Sequence, residues 1–422
     1  MKTQKQIESK ELPSQFADKL GLEYTKTVTT EFKKSTGQFF SPTEIARLMA
    51  SLSEKDSTNL KILDAGCGTL VLSCALIEHH VKSNHSIEKI ELVGYENDSK
   101  LLEYAKESVI YLENWLRSKN IKFEYDLHPD DFILENVSSI KSTEKTQDLF
   151  EDTKSGYFDI IISNPPYFKL PKEDERVKQV KGIVNGQSNI YSLFMAISTI
   201  LSEESGEFIF ITPRSFASGR YFKKFRQFLL ENIDIQRFHL FFSRRDAFDR
   251  DRVLQETLIT KGVKTTKKKQ NNINISSSFG LRDIEEPRMK KYKTEQIVDP
   301  TSEEKIIHLP TSDIEDEVLN LVSNWHNKLI DYNIQISTGP VVSFRSWDYI
   351  VNEDESENRN IAPLFWLHNI HKMYLRHPLI AKNKGQFIKV ESGSKSILIK
   401  NKNYILLRRF STKDDKSRLI AA

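Results

Sequence analysis

Short β-branched runs alternate with longer amphipathic ones along the first part of this chain, and that alternation narrows its possible folds more than any other feature. "LKILDAG" (Leu60–Gly66), "IELVGYE" (Ile90–Glu96), "YFDIIISN" (Tyr157–Asn164) and "GEFIFITP" (Gly206–Pro213) read as strands, each ending at a turn or a charged residue. Between them, Leu101–Leu116 and Ile190–Leu201 carry helical periodicity. Strand and helix in such succession predict an α/β fold, a doubly wound and mostly parallel sheet. "FHLFF" and "VLQETLIT" read as late, antiparallel strands of the same sheet.

The pattern lapses at "KGVKTTKKKQNNINISSS" (Lys261–Ser278), which is polar and aperiodic. The expected organisation is a first domain over 1–262, a linker over 263–279 and a second, β-rich domain over 280–422, which contains "YNIQIST", "SILIKN" and "YILLRRF". Two insertions interrupt the first domain. Ser138–Ser155 reads as a surface loop, and the charged, glycine-containing stretch 170–188 as a mobile lid, poorly ordered without its substrate.

Composition removes several classes of function. No apolar run approaches the length of a bilayer-spanning helix, and Met1–Lys10 is too polar for a signal peptide, so no membrane partner is expected. Cys67 and Cys74 are the only cysteines and are not expected to pair, which points to a reducing, cytoplasmic compartment. The ten histidines show no ligand spacing, so no metal is expected. Net charge is only +3, but "RYFKKFR" (Arg220–Arg226), "KGVKTTKKK" (Lys261–Lys269) and "RMKKYK" (Arg288–Lys293) gather basic residues in the second half. Each cluster can be plain solvated surface; together they lean towards nucleic acid.

Three acids stand where strands end. Asp64 is followed by Gly66 and Gly68, which let the backbone approach a ligand closely, although Leu70 occupies the place of a third glycine. An ordinary tight turn would look the same. Glu96, with Asn97 beside it, ends the next strand, where an acid can accept from both ribose hydroxyls; alternatively "ENDS" merely starts a helix. Asp131 precedes Phe132, an acid and a ring suited to an amino-bearing base, or else a plain strand start. The most constrained stretch is "SNPPYF" (Ser163–Phe168). Two prolines make a rigid corner that presents the Asn164 side chain and the Pro165 carbonyl as two acceptors for one –NH₂ group, with Pro166 fixing the bend and Tyr167 offering a ring. A cis-proline turn with a packing tyrosine is the structural alternative.

"DAGCG", "YE", "DF" and "NPPY", in this order and spacing, resemble the S-adenosylmethionine-dependent amino-methyltransferases, in particular the DNA adenine methyltransferases of the gamma order. "TGQFFSP" (Thr36, Gly37, Gln38 and Phe39 to Pro42) looks like the segment that caps the methionine end of the cofactor. "NIYSLF" looks like the helix after the lid, and "FSRRDAFDRDRVLQETLI" like the base-stacking loop, with Phe248 at its aromatic position. The resemblance spans Thr36 to Thr260. Further on, "ISTGPVVSFR" and "NYILLRRFSTKDDKSRLIAA" look like the recognition half of modification methylases of the PstI/BsuBI kind, where "SRLIAA" reads as the start of an element cut short. The resemblance implies a Rossmann-like class I methyltransferase with a C-terminal DNA-recognition domain. It also implies S-adenosylmethionine as cofactor, double-stranded DNA as partner, transfer to the exocyclic amine of a flipped-out adenine, and a cognate restriction endonuclease. Enzymes that methylate a glutamine amide or an RNA guanine share the corner and remain the alternative; a DNA-binding protein on an inactive fold would be expected to have lost Asn164 or Glu96.

Overall fold

The computed structural model describes residues 11–137, 156–180, 183–184, 189–242, 256–265, 267, 271–352, 360–379, 384–410, 417 and 419–422. Its chain divides into two compact units, Met1–Trp325 and His326–Ala422.

The first unit is built on one nine-stranded sheet. β1 (Asn59–Ala65), β2 (Lys89–Tyr95), β3 (Lys122–His128), β4 (Phe158–Ser163) and β5 (Ser202–Pro213) run parallel. β7 (Thr257–Lys264) lies antiparallel between β5 and β6 (Ile233–Phe241). β8 (Asn272–Ser278) is parallel to β6, and β9 (Arg288–Lys293) closes the edge antiparallel. The spatial order is β3-β2-β1-β4-β5-β7-β6-β8-β9. Winding therefore reverses between β1 and β4, and in open α/β sheets ligands bind at the strand carboxyl ends beside such a reversal.

Both faces are covered. α1 (Pro13–Thr25), α3 (Thr43–Ala50), α4 (Val71–Ser83) and α5 (Ser99–Arg117) contribute Ala17, Ile45, Leu76 and Leu112 to one core. The short α2 (Thr30–Thr36) precedes α3. α6 (Phe132–Asn136), α7 (Glu175–Gln179), α8 (Ile190–Leu201) and α9 (Lys223–Asn232) contribute Phe132, Val177, Ile197 and Phe225 to the other. β4 shows why its centre is an unbroken apolar run: Ile160 and Ile162 enter the first core and Ile161 the second, as the period of two requires. Each such side chain contributes about 1.5–3 kcal/mol on burial, which fixes the strand that leads into the proline corner. All twelve residues of α8 are buried, Ser192, Ser198 and Thr199 included, and its largely apolar sequence marks a central helix.

Several expectations are corrected. The span 263–279, read as a linker, holds β8: Ile273 and Ile275 are buried and Ser276–Ser278 pair along β6, so serine and asparagine content hid a strand. The compact-unit boundary accordingly falls after Trp325 and not at 280. Within the expected lid, residues 175–179 form α7, held by buried Leu170, Val177 and Val180. Arg226, counted among surface basic residues, is fully buried; its guanidinium donates to the carbonyls of Phe216 (2.9 Å), Gly219 (2.6 Å) and Glu304 (3.0 and 2.7 Å). "RMKKYK" is the edge strand β9, whose Arg288 and Lys290 pair with Asp313. Charges of that kind discourage pairing with another chain.

The second unit contains a small antiparallel sheet, with β14 (Phe387–Lys389) between β10 (Ile350–Val351) and β11 (Ile361–Pro363), and a hairpin of β12 (Ile370–His371) and β13 (Tyr374–Leu375). Asn369, fully buried, joins the turns by donating to the Arg376 carbonyl (2.8 Å) and to Gln386 Oε1 (3.1 Å). "YNIQIST" and "SILIKN" do not form the expected strands. Ile336 and Ile399 are 80% and 58% exposed, and alternation alone makes no strand without a neighbour to complete its ladder. Among the described residues no helix is long and apolar enough to cross a membrane.

Candidate active site

The loop leaving β1 needs left-handed backbone three times: Gly66 at φ 74°, Gly68 at 55° and Leu70 at 67°. Leucine in that conformation costs about 1–2 kcal/mol, offset here because Leu70 is fully buried in the core. The loop therefore turns left-handed at Leu70 as it does at the two glycines. Above it lies a cavity of about 540 Å³.

Glu96 reaches this cavity from the end of β2. Its Oε2 accepts from the Gly68 amide (3.2 Å) and its Oε1 from the Asp98 amide (2.9 Å), which ties the β1 loop to the β2 loop. Burial pushes its pKa up to about 7. Within "ENDS", Asp98 caps α5 through the amides of Lys100 and Leu101, as the helix-start reading expects, while Glu96 and Asn97 line the cavity. Asp64 does not line it. The carboxylate lies fully buried below the loop, where Oδ2 accepts from Ser73 (2.6 Å) and so fastens α4 to β1. Its Oδ1 has no hydrogen-bond partner, and burial raises its pKa to about 7.

Asp131 caps α6, its Oδ1 accepting from the amides of Ile133 (2.9 Å) and Leu134 (3.1 Å). Phe132 lines the cavity and packs on Tyr95 and Phe194. Arg176, from α7, reaches the Asp131 Oδ2 at 3.3 Å.

The segment Thr36–Phe39 forms a further wall. Gly37, at φ 63°, ends α2 and its carbonyl accepts from the Tyr167 amide (3.3 Å). Gln38 accepts from the Tyr24 hydroxyl (3.2 Å), which also donates to Asp98 (2.5 Å). The segment thus bridges the corner and the β2 loop, although it lies far from both in sequence.

At the corner the peptide bonds before Pro165 and Pro166 are trans, since His377–Pro378 is the cis bond among the described residues. The Asn164 amide donates to the Phe39 carbonyl (2.8 Å) and to Ser41 Oγ (3.1 Å). Its Oδ1 accepts from the Tyr167 hydroxyl (2.6 Å). With both N–H groups engaged by the wall segment, the amide cannot flip, and Oδ1 keeps one lone pair for a further donor. The Tyr167 ring is not on the cavity wall; it is 8% exposed, against Phe39 and Tyr191, so it offers no free face here. Phe248 lies outside the described residues.

Sequence reasoning gave no role to Tyr24 or Arg176, and none of their own to Ser41 within "TGQFFSP" or to Asp98 beyond a helix start. They act through contacts 45 to 123 residues apart in sequence, for which no local pattern exists.

The family described as Eco57I restriction-modification methylase matches residues 67–248. Over 390 residues the chain is 34% identical to the type II methyltransferase M.BsuBI of Bacillus subtilis, covering 92% of this chain and 74% of that one. The chain belongs to the type II restriction-modification methyltransferases. M.PstI of Providencia stuartii, another type II methyltransferase, is 29% identical over 403 residues, covering 94% and 75% of the two chains. Among solved structures the type IIG restriction endonuclease BpuSI shares the fold with a TM-score of 0.52 at 16% identity, over 86% of this methyltransferase and 44% of that chain.

Proposed function

We propose that this methyltransferase transfers the methyl group of S-adenosylmethionine to the exocyclic amine of adenine in duplex DNA, as the modification half of a restriction-modification system. The observation that carries the reading is the Asn164 amide, its donors fixed by Phe39 and Ser41 and its oxygen free for one more hydrogen bond, beside the cavity walled by Glu96 and Asp131.

The cavity suits the cofactor. Its size falls in the range of about 300–1,000 Å³ common for small-molecule sites. Glu96 would accept from the ribose hydroxyls, Asp131 from the adenine amino group above Phe132, and Thr36–Phe39 would close the methionine end. Bound there, S-adenosylmethionine would supply an electrophilic methyl on a sulfonium. The amine of the target base would donate its hydrogens to Asn164 Oδ1 and the Pro165 carbonyl, which localises the nitrogen lone pair. Asn164 and the Pro165 carbonyl would so ready the nitrogen for the methyl group that the cofactor supplies, and the surplus proton would leave to solvent. Flipping the base out costs a few kcal/mol, repaid partly by stacking worth roughly 1–3 kcal/mol per ring. Phe248 is proposed for one ring and Tyr167 for the other, after Tyr167 leaves its buried position.

Target recognition is assigned to the second unit, where exposed aromatics alternate with cations, as at Phe344, Arg345 and Trp347. Labelled cofactor offered with plasmid DNA, RNA and protein, followed by single-molecule sequencing of the DNA, tests the reading. Label on RNA or protein alone, or on cytosine, ends it.

Cofactor affinity should depend on both acids. Glu96→Ala is expected to weaken binding by roughly 1.5–3 kcal/mol in calorimetry, because the lost acceptor is charged. Unchanged affinity would remove Glu96 from the ribose role. Since burial lifts Glu96 to about 7, it becomes neutral below that pH and a poorer acceptor. Affinity is therefore expected to fall as pH drops through 7, approaching about tenfold per unit. In the ligand-free protein the sign is opposite: the raised folded pKa stabilises at low pH, and that contribution is lost as pH rises through about 7. Glu96→Gln should flatten the affinity profile; a profile identical to wild type assigns the titration elsewhere.

A further inference from the structure

Arg176 belongs to none of the sequence motifs, yet it lines the cavity. Its Nε and Nη2 fork onto the Asp174 carboxylate, both at 2.8 Å, and Asp174 in turn caps α7 by accepting from the Arg176 amide (3.0 Å). The fork leaves Nη1 for Asp131 Oδ2, 3.3 Å away, with the guanidinium 5.9 Å from the Phe168 ring centre. All three charged side chains are mostly shielded: 22% exposed for Arg176, 23% for Asp131 and 16% for Asp174.

This arrangement holds Asp131 from both sides. Oδ1 is fixed by two amides of α6, and Oδ2 by a guanidinium whose own direction is set by Asp174. A carboxylate held by one oxygen alone can swing about its terminal bond; held by both, it presents its remaining lone pair in one direction. A fixed, charged acceptor attracts an amino group and repels a carbonyl oxygen in the same place.

We propose that Arg176 is a specificity-determining positioning residue: it holds Asp131 in the orientation that accepts from a 6-amino purine, so that the pocket takes adenosyl compounds and rejects their 6-oxo counterparts. The proposal rests on the cofactor reading above. It assigns to the segment behind the corner a direct part in choosing the methyl donor.

The test uses the full chain and two unreactive probes, S-adenosylhomocysteine and its deaminated analogue S-inosylhomocysteine, titrated by calorimetry. Wild type should prefer the amino compound by roughly 10- to 100-fold. Arg176→Gln should lose roughly fivefold or more for S-adenosylhomocysteine and nothing for S-inosylhomocysteine, so the ratio shrinks. Arg176→Lys, which keeps a cation near Asp131 without the fork, should recover part of the preference. Equal losses for both probes would mean that Arg176 merely pins α7, and unchanged values for both would remove it from the site; either outcome overturns the proposal. Wild type that binds both probes equally would overturn it too, together with the Asp131 contact to the amino group, while leaving S-adenosylmethionine as the methyl donor. Wild type that binds neither would end both.

Discussion

Asn164→Ala is expected to lower the rate of methyl transfer about 10²–10³-fold, the range found when one preorganised hydrogen-bonding group is removed from a transition state. The acceptor matters most as the attacking nitrogen gains positive charge, so the loss should fall on the chemical step and appear in single-turnover kinetics. Cofactor affinity should change by no more than the roughly 1 kcal/mol of a neutral hydrogen bond, since Asn164 lines the cavity as a neutral amide whose N–H groups are spent on Phe39 and Ser41. A duplex with the target adenine opposite a mismatch lowers the cost of extrusion and should not rescue this variant. Recovery on such a substrate would reassign Asn164 to base capture, and a parallel collapse of cofactor affinity would make it a wall residue.

Gly37→Ala should be nearly as damaging, for a reason of backbone geometry. A Cβ at this position would stand 2.6 Å from the Tyr167 backbone nitrogen, and the residue already sits at φ 63°. The left-handed conformation alone costs alanine about 1–2 kcal/mol. The close approach is to backbone, which cannot rotate away, so the wall segment must lift from the corner and take the Phe39 and Ser41 acceptors from Asn164. The expected result is a lower melting temperature together with losses of both cofactor binding and transfer. Gly156→Ala provides the comparison, since that residue has φ 71° but nothing within 4 Å of a Cβ. If the two alanine variants behave alike, the contact between Gly37 and the corner carries no function.

Much of the first unit was legible before any coordinates. The apolar runs at 60–66, 90–96 and 157–164 became β1, β2 and β4 within a residue or so, and the periodic stretch 190–201 became α8 with the same limits. Strands buried on two faces carry near-continuous apolar runs, and a buried helix cannot hide its composition. β8 escaped because a strand of asparagine and serine pairs through its backbone, which composition does not record. The second unit escaped further, since its strands are two or three residues long and held by side chains such as Asn369.

Within the site, sequence alone determined which chemical groups are available: three acids at strand ends, glycines where the backbone must turn left-handed, and a proline corner bearing an amide and a ring. Their types and spacing are local, and local geometry follows from them. Tertiary structure decided what those groups face. Asp64 turned beneath its loop to meet Ser73, Tyr167 turned inward to hold Asn164, and Asp131 met an arginine 45 residues on. Each outcome depends on which surfaces the sheet brings together at its reversal between β1 and β4. A buried polar group must find its partner there, whichever part of the chain supplies it.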